Sequence, residues 1–272
     1  MRVFSFDPSG VALIALLIAL YARAVLVLRW RGYSVSRRQQ ALWYSGVVLV
    51  ALALVGPPDA LSGDLLSAHM GQHLLLADLA APLLLAGART PVLQFLLPKQ
   101  VLVPLARTKW LRRLFRWLRK PIVAVSLWVL ILYGWHFGFA FEGALEHPLV
   151  HVLQHQCFFF VSVLAWWQVV DPKKRRLGGE LWKAGHIIGM RVAGMFLGMA
   201  FILMRTQAYP WYGNRAELHG INPIADQQYG GGLMLLTDML VMFFALGFFF
   251  WRAAADNDRR EAERLPATVS SS

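Results

Sequence analysis

Two histidines stand four residues apart in "SAHMGQHLLL" (67–76), and "HPLVHVLQH" (147–155) runs through the same spacing twice. Residues four apart on a helix share a face, so His69 and His73 converge on one point, and so do His151 and His155. Imidazole is the commonest protein ligand for transition metals, and its neutral form is the least costly ionisable group to keep near a bilayer. The two pairs together predict a metal or cofactor site. His136 is a natural fifth ligand or supporting partner, and Met70 and His147 are further candidates beside the two runs.

The elements that must carry these residues are membrane helices. Of the 272 residues, 57% are hydrophobic and 15% charged, a balance far from that of soluble domains. The net charge of +12 does not indicate nucleic acid, because the cations fall in short blocks between long apolar runs. A bilayer core needs about 20 apolar residues per helix. Seven segments approach that requirement: 10–30, 40–56, 65–88, 121–141, 147–170, 185–207 and 230–251. The fold expected is all-α and polytopic, a single seven-helix domain over 1–251. The first run is read as a retained span, since its cations follow the apolar stretch instead of preceding it.

Lys and Arg concentrate in 29–39, 89–120, 171–184 and 252–272, while the alternate loops carry Arg2, Arg215 and little else. The excess belongs on the cytoplasmic side, which predicts an outside N-terminus and a cytoplasmic C-terminus. Within 89–120, "LARTKWLRRLFRWLRK" sets Leu111, Leu114, Phe115 and Leu118 on one face amid cations, which predicts an interfacial helix near 105–120 on anionic lipid. The segment 252–272 reads as a disordered cytoplasmic tail.

On this topology seven of the eight histidines fall in the outer half, with only His186 at the inner end. At a rise of about 1.5 Å per residue, His73 and His155 both lie roughly 10 Å below their helix ends, so the pairs share a depth. His219 belongs to the wet rim. The lone cysteine, Cys157, excludes an intramolecular disulfide and every cysteine-based zinc motif, and it lies about 200° around the helix from His155, as a packing residue. Met195, Met199, Met234, Met239 and Met242 line spans six and seven; thioethers favour Cu(I), though such stripes also serve packing.

Charged residues at depth need partners. Asp78 in span three and Arg191 in span six sit at comparable depth, which predicts an intramembrane ion pair. Gly185, Gly189, Gly194 and Gly198 form two small-xxx-small steps for close helix contact on span six. The outer loop "YPWYGNRAELHGINPIADQQYGGG" faces the histidine side and reads as a lid or a docking surface.

Taken in order, "SAHMGQHLLL", "APLLLAG", "YGWHFG", "HVLQHQCFFF" with "WWQVVDP", and "DQQYGG" resemble the multi-span CtaG family of cytochrome c oxidase assembly factors, from span two to span seven. The resemblance implies a multi-pass protein of the bacterial cytoplasmic membrane that matures a haem-copper oxidase, with copper handling for its catalytic subunit. By motif it carries over His69, His73, His136, His151, His155 and Asp226. The sequence departs from the family after "DQQYGG", where "GLMLLTDML" inserts Asp238.

The expected function is therefore an oxidase assembly factor, not an enzyme. Outer-face histidines would hold copper as Cu(I) and pass it to an oxidase subunit, with other copper chaperones as possible donors and membrane lipid as the surround. Two alternatives stand beside it. In a zinc-dependent membrane hydrolase, three histidines would hold the ion and Glu142, Glu146 or Asp226 would act as base, although no H-E-x-x-H arrangement occurs. In a b-type haem protein, facing helices would supply two axial histidines. A retinal-type receptor is excluded, since span seven has no lysine.

Overall fold

The computed structural model describes residues 8–170 and 180–269. Among these, regular structure is helical throughout, with no strand. Arg2 and the cations at 173–176, both used in the orientation reading, lie outside the described residues, as do the last three residues of the predicted tail.

In chain order the helices are α1 (Pro8–Trp30), α2 (Arg37–Val55), α3 (Pro57–Leu61), α4 (Leu66–Leu74), a π-helical segment (Leu75–Ala80), α5 (Ala81–Gly87), α6 (Val92–Phe95), α7 (Lys99–Arg107), α8 (Lys109–Leu118), α9 (Pro121–Trp135), α10 (Gly138–Glu146), α11 (Pro148–Val170), α12 (Glu180–Leu203), a 3₁₀ turn (Pro210–Tyr212), α13 (Gly213–Glu217) and α14 (Pro223–Val269). Six helical segments are long and apolar enough to cross a membrane, and α9 with α10 makes a seventh if that bent pair counts as one span.

Prolines set many of the starts. Pro57, Pro121, Pro148 and Pro223 each open a helix, where the missing N–H has no intrahelical partner to lose. Ser36 caps α2 by accepting a hydrogen bond from the Gln39 amide at 3.2 Å, and Asn222 Oδ1 accepts from the Ile224 amide at 2.9 Å at the head of α14. Pro82 explains the π segment: its ring crowds the carbonyl of Asp78 and provides no N–H for it, so the turn widens.

Three expectations from the sequence change. The fourth predicted span, 121–141, is not one straight helix; it breaks after Trp135 and turns by 72° into α10. Glycines 134 and 138 flank the break, and the Tyr209 hydroxyl donates to the freed carbonyl of His136 at 2.8 Å. The interfacial segment is two helices parted at Thr108, with Trp110, Phe115 and Trp117 exposed on the second. The segment expected as a disordered tail continues α14 to Val269, since helix-forming Ala, Glu and Arg dominate it as far as Leu265.

Three apolar clusters hold the bundle. One joins α1, α2 and α5 around Tyr21, Trp43 and Leu84. A second joins α4, α9, α10, α11, α12 and α14 around Met70, Phe141, Phe158 and Phe201. The third packs α5, α11, α12 and α14 around Trp166 and Ile187. Of the glycines on α12, Gly194 and Gly198 make the close contact with α14: a methyl at 198 would meet the Gly231 carbonyl oxygen at 2.9 Å, whereas nothing lies within 4 Å of one at 185 or 189.

Candidate functional site

Helices α4 and α11 face each other with their histidines inward. The rings of His69 and His73 are 4.5 Å apart centre to centre, and those of His151 and His155 are 4.2 Å apart. Across the seam, His69 to His151 and His73 to His155 are both 5.1 Å, and the diagonal from His69 to His155 is 6.5 Å. The four imidazoles thus form one quadrilateral, with each neighbour at hand. His69 is fully buried, His73 and His155 are 6% exposed, and His151 is half-buried.

Their register depends on other parts of the chain. Helix α4 has no cap of its own at Leu65. Instead Asp226, fully buried at the head of α14, accepts from the Leu66 amide at 2.6 Å and the Ser67 amide at 3.2 Å, and also from the Ser67 hydroxyl. A carboxylate at a helix N-terminus meets both the orphan amides and the positive end of the dipole. Asp226 thus positions the helix bearing His69 and His73. On the same helix, Gln72 donates to the Ala53 carbonyl at 2.9 Å and ties α4 to α2.

The ring nitrogens divide by their partners. His69 Nδ1 lies 3.2 Å from the Tyr212 hydroxyl, and His136 Nδ1 lies 2.6 Å from the Leu132 carbonyl. A carbonyl only accepts, so His136 carries its proton on Nδ1 and its lone pair on Nε2. Among the described residues, Nε2 of His69, His136 and His155 and both ring nitrogens of His73 have no hydrogen-bond partner. Gln154, fully buried, lies within side-chain hydrogen-bonding reach of His69, although among the described residues neither of its amide atoms has a partner at strict hydrogen-bond geometry.

Metal–nitrogen bonds of about 2 Å place rings that share an ion roughly 5 Å apart. The quartet meets that spacing. Its nitrogens are not yet aimed at a common centre, for among the described residues no three His, Cys, Asp or Glu donors surround one metal position.

The remaining candidates fall in different places. His136 stands at the break after α9, with Phe141, Phe158 and Phe201 around its ring; Phe141 also packs on His69 and Phe158 on His73, so the two phenylalanines adjoin both His136 and the quartet. Met70 is buried toward α14, where its Cγ would touch a methyl placed on Gly230 at 3.3 Å. His147 is exposed at the α10–α11 joint. Met199 and Met239 are exposed on the bundle's outside, and Cys157 is half-buried with a free thiol. Glu142 accepts from the Trp211 amide at 3.1 Å, and Glu146 is exposed. Neither is a hydrogen-bond partner of a quartet ring, and Asp226 is held at the α4 N-terminus.

Deeper in the bundle, Arg191 Nη1 lies 2.6 Å from Asp78 and 2.8 Å from Asp238, so the anticipated partner of Asp78 is shared with a second carboxylate. The guanidinium also faces the rings of Trp128 and Trp166, at 5.2 and 5.6 Å. Gly194 makes room for Asp238. This explains the residue at which the sequence departs from the resemblance.

The loop before α13 covers the histidine end. Tyr209 stacks on Phe141 at 3.9 Å, Trp211 Nε1 donates to the Gly63 carbonyl at 2.9 Å, and the Tyr212 hydroxyl donates to the Ser62 carbonyl at 2.9 Å. Arg215 lies over the Trp211 ring at 3.9 Å, and His219 meets Asp64 at 3.0 Å. Burial, then the charge of Asp226, pushes the Tyr212 phenol well above its ordinary range, and burial with Glu142 does the same for Tyr209. Both stay protonated donors. The sequence flags this loop as a lid or docking surface but does not single out Tyr209 or Tyr212; the run of aromatics in "YPWY" is the signal that could have done so.

A sequence profile of the family described as cytochrome c oxidase caa3 assembly factor (Caa3_CtaG) matches residues 19–256. Two mycobacterial proteins, one from Mycobacterium bovis and one from Mycobacterium tuberculosis, each described as an uncharacterised protein, are 27% identical over 97% of the chain. The chain spans 41% of the length of each of these relatives. No solved structure matches it.

Proposed function

Since the chain belongs to the family of cytochrome c oxidase caa3 assembly factors, we propose that it acts in oxidase assembly by holding copper at the His69–His73–His151–His155 quartet and yielding it to an oxidase subunit. One observation carries this reading: four imidazoles from two facing helices lie 4.2 to 5.1 Å from their neighbours, and among the described residues buried nitrogens of His73 and His155 have no hydrogen-bond partner. A buried polar atom left without a partner costs about 1–3 kcal/mol, and a metal ion would satisfy several such atoms at once.

Copper is the cargo and not a resident cofactor, so the site must release as well as bind. Imidazole suits both copper and zinc, and a set of rings that must turn to engage the ion also has a path to disengage it. His136 adjoins the quartet through Phe141 and Phe158 and serves as a further ligand during transfer. The cation-poor end of the bundle faces outward in this reading, which puts the quartet towards the extracytoplasmic side of a bacterial cytoplasmic membrane and leaves α7 and α8 on the anionic inner leaflet.

The test is metal content of detergent-purified protein after loading with Cu(I) under reducing conditions. Wild type retains copper at a fixed stoichiometry, and the variant with all four quartet histidines changed to alanine retains none. Equal copper in both proteins would remove the quartet from the reading. Zinc in place of copper after competitive loading would redirect it to a zinc site.

A further inference from the structure

Tyr212 joins the covering loop to the quartet through a single oxygen. Its hydroxyl lies 2.9 Å from the Ser62 carbonyl and 3.2 Å from His69 Nδ1. The phenol has one proton, and the carbonyl can only accept, so that proton goes to Ser62. The phenolic oxygen then accepts, and Nδ1–H of His69 is the donor that completes the contact. This assigns His69 the tautomer protonated on Nδ1, with its lone pair on Nε2, which among the described residues has no partner at strict hydrogen-bond geometry. Among the described residues, His73, on the same helix face, has no such partner on either nitrogen.

The loop that places Tyr212 is itself clamped. Tyr209 donates to the His136 carbonyl at 2.8 Å, Trp211 donates to the Gly63 carbonyl at 2.9 Å, and the Trp211 amide donates to Glu142 at 3.1 Å. Residues 209–212 therefore bind the α9–α10 break and the turn before α4 together. Lifting the loop away would take the Tyr212 hydroxyl from His69 and release the tautomer.

We propose that Tyr212 is a positioning residue that fixes which nitrogen of His69 is available to a metal, and that the covering loop sets the quartet's copper affinity through it. The tautomer stands by itself; the affinity rests on the copper reading above. Partners of this kind orient a ligating imidazole and raise its basicity, and their loss weakens metal binding by about 10–100-fold.

The experiment uses the full chain labelled with ¹⁵N-histidine in detergent, free of metal, as wild type, Tyr212→Phe and His69→Gln. The last identifies the His69 ring signals. Wild type shows His69 protonated on Nδ1, and Tyr212→Phe shows a mixture or the opposite tautomer. Competition with a chromophoric Cu(I) chelator then gives affinities, with Tyr212→Phe weaker by at least about tenfold at unchanged stoichiometry.

An unchanged His69 tautomer in Tyr212→Phe overturns the proposal, and so does wild-type affinity in that variant. If wild type binds no Cu(I), the copper reading fails while the nitrogen signals still decide the role of Tyr212. If Tyr212→Phe does not fold, the wild-type signal decides alone: a His69 ring protonated on Nε2 sinks the assignment.

Discussion

The bundle buries strongly polar side chains in two places and treats them in opposite ways. In the triad of Asp78, Arg191 and Asp238, each carboxylate lies within 2.8 Å of the guanidinium, and two tryptophans cover that group's faces. In the quartet, imidazole faces imidazole, and among the described residues nitrogens of His73 and His155 find no partner. The triad's charges meet counter-charges inside the protein, although Nε and Nη2 of Arg191 also lack hydrogen-bond partners among the described residues. Uncharged lone pairs gathered in one place and left without donors call for something from outside. The triad is thus read as a device that holds α12 to the π segment and to α14, and the quartet as a place where a ligand is received.

The contrast can be broken at either end. The largest effect is expected at the triad: Arg191→Leu strands two buried carboxylates and lowers stability by about 3–5 kcal/mol, measured by unfolding in detergent. Replacing Asp78, Arg191 and Asp238 together by leucine should recover most of that loss while copper stoichiometry stays at the wild-type value. A triple variant that folds but loses copper would show that the two regions are not separate. At the quartet the pattern reverses. His73→Leu should fold at least as well as wild type yet bind Cu(I) at least about tenfold more weakly, a change of ~1.4 kcal/mol, measured by chelator competition.

Two smaller effects sharpen the comparison by testing what aims the quartet. Asp226→Ala removes the cap of α4 and should lower stability by about 1 kcal/mol, with faster amide exchange confined to Leu66 and Ser67. Uniform exchange across the bundle would instead assign Asp226 to general packing. Tyr209→Phe deletes one hydrogen bond at the α9–α10 break and should cost at most about 1 kcal/mol in thermal unfolding.

The two histidine pairs were legible because helical spacing alone puts residues four apart on one face, and membrane helices are recognised from apolar length. Asp78 and Arg191 could be matched by depth for the same reason. Asp238 could not be assigned, because matching depths gives at most a pair, and a third charge needs knowledge of which helix lies alongside. Asp226 drew attention through its motif, but its cap on α4 joins residues 160 positions apart. The break at His136 was also hidden: "YGWHFG" contains no proline, and the bend is held by Tyr209, which belongs to a distant loop.

Local periodicity, read one segment at a time, is enough to establish the helical class, the apolar spans and the facing of each histidine pair along its own helix. A helix satisfies its backbone hydrogen bonds internally and displays its side chains at a constant pitch, so these properties need no neighbour. Three-dimensional packing alone settles that α4 meets α11, that Arg191 serves two carboxylates, and that Tyr212 reaches His69 from the covering loop. Such contacts depend on how helices approach one another, through small residues such as Gly194 and Gly198 and through caps donated from elsewhere, and pitch along a single segment carries no record of them.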